Sequence, residues 1–215
     1  MGFITEHGIA AVIFDMDGTL LDSNASVERC WDKLAVALGV DRETAPFAHG
    51  VPSLATIAAC RPDLTPDEVR EWNRFHMRLE IEDCDGIVPI DGVFDLLTAL
   101  DAHGVPWGIA TSCQGELAEV RHAAAGLPRP DVFVVAEMYD RGKPSPDPFR
   151  KAAELLGVDI TRTVVVEDAP PGVRAGIAAG ATVCAVVTTH GADELTDAHV
   201  ITPTLPDLQR FLLGS

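Results

Sequence analysis

Three short apolar runs in this chain stop abruptly on polar side chains, and that pattern restricts its fold more than any bulk property does. Ala11–Phe14 ends on Asp15 and Asp17. Val105–Ala110 ends on Thr111 and Ser112, and Thr163–Val166 ends on Glu167 and Asp168. Two further short runs, Val132–Val135 and Ala181–Val187, resemble strands in the same way. Between them, Val93–His103, Glu116–Ala125, Pro146–Leu156 and Gly172–Ala179 carry apolar residues at helical spacing, and Gly104, Gly157 and Gly180 are good stops for the first, third and fourth. Continuous apolar runs alternating with helices describe parallel strands covered by helices on both faces.

One long segment breaks the alternation. From Ala25 to Asp83 nothing has strand character. In Ala25–Leu38 the residues Val27, Trp31, Leu34, Ala35 and Leu38 share a helical face, and Gly39 is a good stop. Ser53–Ala59 is a second helical stretch. A third starts at Thr65-Pro66-Asp67-Glu68, a cap followed by proline and acids, and runs to about Glu82. The expected fold class is therefore α/β, a Rossmann-like doubly wound parallel sheet with an inserted helical domain. Residues 1–20 and 88–215 form the core and residues 21–87 the insert. Trp31 and Trp72 belong to the insert's interior, Gly18–Ser23 is the turn that leads into it, and Glu80, Glu82, Asp83 and Asp85 read as a solvated hinge.

Parallel strands bring their carboxyl ends to one edge, where open α/β sheets bind ligands. Any one of the three polar strand ends is equally well explained as a helix cap. Three together, two of them carboxylate pairs, argue for a site. Asp15 and Asp17, spaced i and i+2, leave an extended segment on the same side. Acids that close repel unless a cation or a shared proton sits between them, which leaves a divalent metal or an acid/base pair. With Glu167 and Asp168 they make a set of hard oxygen ligands without Cys or His, suited to Mg²⁺ rather than zinc. The Thr111 hydroxyl and Lys143, in the run RGKPSPDPF, would complete a cradle for a phosphoryl group. A lone lysine is more often a solvated surface residue; its position in a loop between two parts of the site favours the functional reading. An aspartate can attack phosphorus, and a second carboxylate nearby can move the proton.

Charge narrows the partners. The chain has 215 residues, with 16 Lys and Arg against 33 Asp and Glu, a net charge of −17. Such a chain is a poor binder of nucleic acid, which needs clustered cations, and of anionic membrane surfaces. A small anionic substrate needs a metal or a few focused cations. No apolar run approaches the ~18 residues of a membrane span, and the opening MGFITEHG lacks a basic n-region. The expectation is a cytoplasmic protein, a monomer or weak dimer. Its five widely spaced cysteines read as free thiols, with Cys113 at a strand end the one candidate for reactivity.

DMDGT at Asp15–Thr19 resembles the first motif of the haloacid-dehalogenase superfamily of phosphohydrolases. Thr111 matches the second motif, Lys143 in GKPSPD the third, and Glu167-Asp168 in VVVEDAPPGVRAG the fourth, spanning Ala11 to Gly180 in the right order. The resemblance implies that Asp15 is the nucleophile and a metal ligand. Asp17 would be the general acid/base and lend its backbone carbonyl to Mg²⁺, Asp168 would ligate the metal, and Glu167 would support or join that shell. Thr111, Ser112 and Lys143 would hold the transferring phosphoryl group. The insert is similar to the α-helical cap of the phosphoglycolate-phosphatase and β-phosphoglucomutase branch. Within it, His49–Ile57, Pro106–Ser112, Gly126–Glu137 and RGKPSPDPF look closest to sugar and polyol phosphatases such as the 2-deoxyglucose-6-phosphate and glycerol-phosphate phosphatases.

One departure bears on the reaction. The mutases carry a cap arginine about three residues after a glycine, and counting from Gly50 the residue here is Ser53. No Arg or Lys lies between Arg42 and Arg61. The resemblance thus implies a Mg²⁺-dependent phosphatase of a small sugar or polyol phosphate, with His49, Gly50 and Ser53 as substrate-selecting positions. His49 is equally well a plain loop residue. The alternatives are a phosphosugar mutase, a phosphoglycolate phosphatase, a phospho-accepting receiver domain and a binding protein without activity. A receiver would place its acceptor on a middle strand and lack the insert; a dead enzyme would not fill every motif position with a competent residue.

Overall fold

A computed structural model describes residues 2–45 and 53–214. The strands are β1 (Ala11–Phe14), β2 (Leu21–Asp22), β3 (Val88–Pro89), β4 (Trp107–Ala110), β5 (Val132–Val134), β6 (Thr163–Glu167), β7 (Thr182–Val186) and β8 (Val200–Thr202). The helices are α1 (Phe3–His7), α2 (Asn24–Leu38), α3 (Ser53–Cys60), α4 (Pro66–Glu82), α5 (Val93–Ala102), α6 (Gly115–Ala124), α7 (Asp147–Leu156), α8 (Pro170–Ala179) and α9 (Leu205–Leu213). They divide into two compact units, Met1–Asp22 with Val88–Ser215, and Ser23–Ile87.

In the first unit the apolar runs become one six-stranded sheet in the order β5-β4-β1-β6-β7-β8. Every neighbouring pair is parallel. Strands buried on both faces have no polar side to show, which is why their sequences are unbroken apolar runs. Val12, Ile13, Phe14, Val164, Val165 and Val166 are all completely buried. Ile13 and Val165 share a core cluster with Phe149 and Ala152 of α7 and Val173 and Ala175 of α8. Burying each such large side chain stabilises the fold by roughly 1.5–3 kcal/mol.

Register places the site. Phe14 of β1 lies level with Ile109 of β4 and Val166 of β6. The polar residues that follow these three central strands therefore emerge together at the carboxyl edge. The expected α/β parallel sheet is present, and it is larger than the sequence indicated. β8 and α9 were not anticipated, nor was the antiparallel pair of β2 with β3. The helix expected from Gly172 begins two residues earlier because proline is tolerated in a first turn. Among the described residues no helix is long and apolar enough to cross a membrane.

The second unit has its own small core of Leu34, Leu38, Ile57 and Val69, with Trp31 and Trp72 packed against it. α4 starts in a reciprocal cap: the Thr65 side chain accepts the Glu68 N–H, and the Glu68 carboxylate accepts the Thr65 N–H. The solvated-hinge reading is corrected at two acids. The Asp83 carboxylate takes Arg29 at 2.6 Å and Lys33 at 2.7 Å, and its side chain is only 12% exposed. The hydrogen bonds from these two cations hold its pKa well below the usual carboxylate range. Glu80 lies 3.5 Å from the His76 ring.

Candidate active site

Past its last strand residue, β1 keeps one more ladder bond, the Asp15 N–H donating to the Val166 carbonyl at 2.9 Å. This fixes Asp15 beside the end of β6. Lys143, from the loop before α7, buries its side chain to 7% exposure and sets Nζ on Asp15 Oδ1 and, at 2.7 Å, on Glu167 Oε1. The other Glu167 oxygen accepts the backbone N–H groups of Asp168 and Ala169 at 3.1 and 3.2 Å. Asp168 Oδ1 accepts the Thr19 hydroxyl at 2.9 Å, and Oδ2 accepts that of Thr189. Oxygens of Asp15, Glu167 and Asp168 all come within 4.8 Å of one another.

Three buried carboxylates face one lysine there. Burial pushes the Asp15 pKa well up, against the pull of Lys143. Burial and the neighbouring Glu167 charge push Asp168 up to about 6. Burial alone would weaken the Lys143 proton, but Asp15 and Glu167 together outweigh it and hold the ammonium form. The cluster thus carries more negative charge than its cation offsets, in an all-oxygen donor set. Such a set fits a hard divalent cation.

Two glycines make room for the acids. A Cβ on Gly172, one turn into α8, would fall inside the Glu167 carboxylate. One on Gly18, whose φ is +83°, would collide with Asp168. Neither position tolerates a side chain while the carboxylates stay where they are.

Asp17 is engaged elsewhere. After Asp15 the chain turns: Met16 O collects the N–H groups of Thr19, Leu20 and Leu21 in a tight turn. Asp15 and Asp17 therefore meet different cations, where the sequence suggested one shared side. Arg121 Nη1 donates to Asp17 Oδ1 at 2.9 Å, and the Cys113 thiol donates to Oδ2 at 3.2 Å. Burial and the Asp17 charge push the Cys113 pKa far up, in keeping with the reading of the cysteines as plain free thiols and against the lesser alternative of a reactive one at this strand end. Thr111 is buried at the end of β4, its hydroxyl accepting the Cys113 N–H at 3.1 Å and its carbonyl the Tyr139 hydroxyl at 3.0 Å. Ser112 is exposed. Ser53 opens α3, with its hydroxyl on Asn73 of α4. His49 and Gly50 lie outside the described residues.

A family model for haloacid dehalogenase-like hydrolases matches residues 9–180, through all four polar segments. The chain belongs to the haloacid dehalogenase-like hydrolase family. Among relatives of this hydrolase, hexitol phosphatase A of Escherichia coli is 39% identical over 200 residues, covering 91% of either chain. Glycerol-1-phosphate phosphohydrolase 2 of Saccharomyces cerevisiae is 29% identical over 205 residues, 88% of this chain and 79% of that one. The crystal structure of a family IA, variant 3 HAD hydrolase from Entamoeba histolytica shares the fold. Its TM-score is 0.83 at 23% identity, over 92% of this chain and 94% of that one.

Sequence reasoning missed Arg121, Thr19, Thr189 and Gly172. Arg121 left a signal: it shares the buried face of α6 with Leu117 and Ala118, where an arginine is out of place unless something pairs with it.

Proposed function

We propose that this hydrolase is a Mg²⁺-dependent phosphomonoesterase that cleaves a small sugar or polyol phosphate through a phosphorylated Asp15. The observation that carries the reading is the gathering of Asp15, Lys143, Glu167 and Asp168 at the ends of β1 and β6 in a chain of this family. The likeness to phosphatases of hexitol and glycerol phosphates supports the substrate class.

In the first step an Asp15 carboxylate oxygen bonds to phosphorus as the bond from phosphorus to the substrate oxygen breaks. The departing oxygen keeps that electron pair and takes a proton from Asp17, leaving as the free alcohol. In the second step Asp17 takes a proton from water as the water oxygen bonds to phosphorus. The bond to Asp15 then breaks, releasing phosphate. Lys143 holds Asp15 in place and, with Thr111 and Ser112, binds the phosphoryl oxygens. Asp15, Glu167, Asp168 and the Asp17 backbone carbonyl would hold Mg²⁺, which when bound offsets the negative charge of the phosphoryl group. The helical unit is read as the cap that selects the substrate, with His49, Gly50 and Ser53 as its candidate contacts. The cation-free stretch between Arg42 and Arg61 favours hydrolysis over a mutase, which must also grip a second phosphate.

Phosphate release from a panel of hexitol, hexose, glycerol and glycolate phosphates tests this. Free phosphate and alcohol are expected from the sugar or polyol members, abolished by a chelator and restored by Mg²⁺. Isomerised sugar phosphate without free phosphate would contradict the reading.

A further inference from the structure

We infer that Arg121 is a positioning residue for the proton-transfer step: it fixes the Asp17 carboxyl group, which in its protonated form gives its proton to the leaving oxygen and is left as the carboxylate. The inference rests on the reading of Asp17 as general acid. Arg121 comes from the second turn of α6, yet its side chain is 5% exposed and it sits 2.9 Å from an Asp17 oxygen. The same Nη1 lies 3.4 Å from Cys113 Sγ, and that thiol holds the second Asp17 oxygen. Both oxygens of the carboxylate are thus held by groups outside the acidic cluster. Asp17 itself stays 24% exposed, open to a substrate. A buried arginine beside Leu117 and Ala118 is a costly way to fill space on a helix face unless its charge is paired. Arg121 keeps a carboxyl group that serves twice, as acid and then as base, in one orientation. Asp15 takes its orientation from Lys143, so the two acids of the first strand end are aimed by separate cations.

Leaving-group dependence tests this, because a structural arginine would affect all substrates alike. An alkyl phosphate needs its departing oxygen protonated, whereas p-nitrophenolate leaves without help. kcat/KM covers the steps up to departure of the alcohol. In Arg121→Met it should fall about 10–100-fold for glycerol or hexitol phosphate and less than about 3-fold for p-nitrophenyl phosphate, a loss smaller than the roughly 10²–10⁴-fold that general acid catalysis itself supplies, because Arg121 only positions the acid. Asp17→Asn should show the same selectivity more strongly, and the double variant should be no worse than Asp17→Asn alone. Arg121→Lys should lie between wild type and Arg121→Met with the same selectivity, and it carries the test if Arg121→Met fails to fold. Equal losses on both substrates in the Arg121 variants, with a selective loss in Asp17→Asn, would overturn the role of Arg121 alone. Equal losses in Asp17→Asn would overturn the general-acid reading beneath it.

Discussion

Two acidic clusters in this molecule are built on opposite principles. At the strand ends Asp15, Glu167 and Asp168 are buried and share one lysine, and the carboxyls of Asp15 and Asp168 are pushed up. At the end of α4 the single carboxylate of Asp83 is held by two cations, Arg29 and Lys33, and its carboxyl is pulled down. The first arrangement leaves negative charge in excess where solvation is poor; the second has cation to spare at a surface. Excess buried charge destabilises a fold unless something else binds there, so it marks a place kept for a ligand. A satisfied pair marks a place kept for structure.

The largest contrast is in catalysis. Asp15→Asn should lose on the order of 10⁴-fold or more in kcat while retaining its circular dichroism spectrum, as removal of a nucleophile does. Asp83→Asn should leave kcat within about twofold, as expected away from the chemistry. A substantially active Asp15→Asn enzyme would break the contrast at its base.

Next come the glycines that make room for the buried acids. Gly172→Ala forces the Glu167 carboxylate off Lys143 and off the Asp168 and Ala169 amides. It should lower kcat by about 10²-fold through misplacement of the cluster and cost about 1–3 kcal/mol as an overpacked site. Gly115→Ala meets only ordinary contacts and should shift stability by less than about 0.5 kcal/mol. Chemical denaturation and steady-state assays read both, and equal behaviour of the two variants would remove the claim that Gly172 shapes the site.

The smallest effects differ in sign. With its pKa near 6 in the fold and about 3.9 unfolded, ionised Asp168 costs metal-free stability as pH rises from about 4 to 6, and the penalty persists above that. Metal-free Asp168→Asn should therefore be more stable than wild type at pH 7.5, on the order of 1–3 kcal/mol, and gain nothing at pH 4. The depressed Asp83 carboxyl works the other way: its contribution is present above the unfolded value and fades as pH falls through the lower folded value. Asp83→Asn should lose stability at pH 7.5, by less than the Asp168 gain, and rejoin wild type in strong acid. Denaturation midpoints against pH measure both; shifts of the same sign would show that the clusters do not differ as described.

The same contrast explains what the sequence revealed. Buried parallel strands that stop on acids are legible because the apolar run and the polar stop are local, so β1, β4, β6 and their terminal residues could be read directly. Lys143 was recoverable because its loop carries a distinctive run. What depended on distant partners was not. Asp83 looked solvated because its cations lie on α2, some fifty residues earlier, and charge runs carry no record of such pairing. The turn at Met16 separates Asp15 from Asp17 through backbone bonds that alternation rules do not foresee, and Arg121 finds Asp17 only once α6 is packed. β8 and α9 follow a turn-rich stretch, and β8 offers only Val200 and Ile201 where the equally short β5 is apolar throughout, so it left no run to read.

Phosphorylation of Asp15 can be trapped as the covalent intermediate. Wild-type enzyme with Mg²⁺ is mixed with phosphoryl-labelled hexitol phosphate, quenched in acid within one turnover, digested and mapped. A hydroxylamine-labile phosphoryl group is expected on the peptide containing Asp15, and none in Asp15→Asn. No trapped label while phosphate is still released, or label on any other residue, would contradict phosphorylation at Asp15.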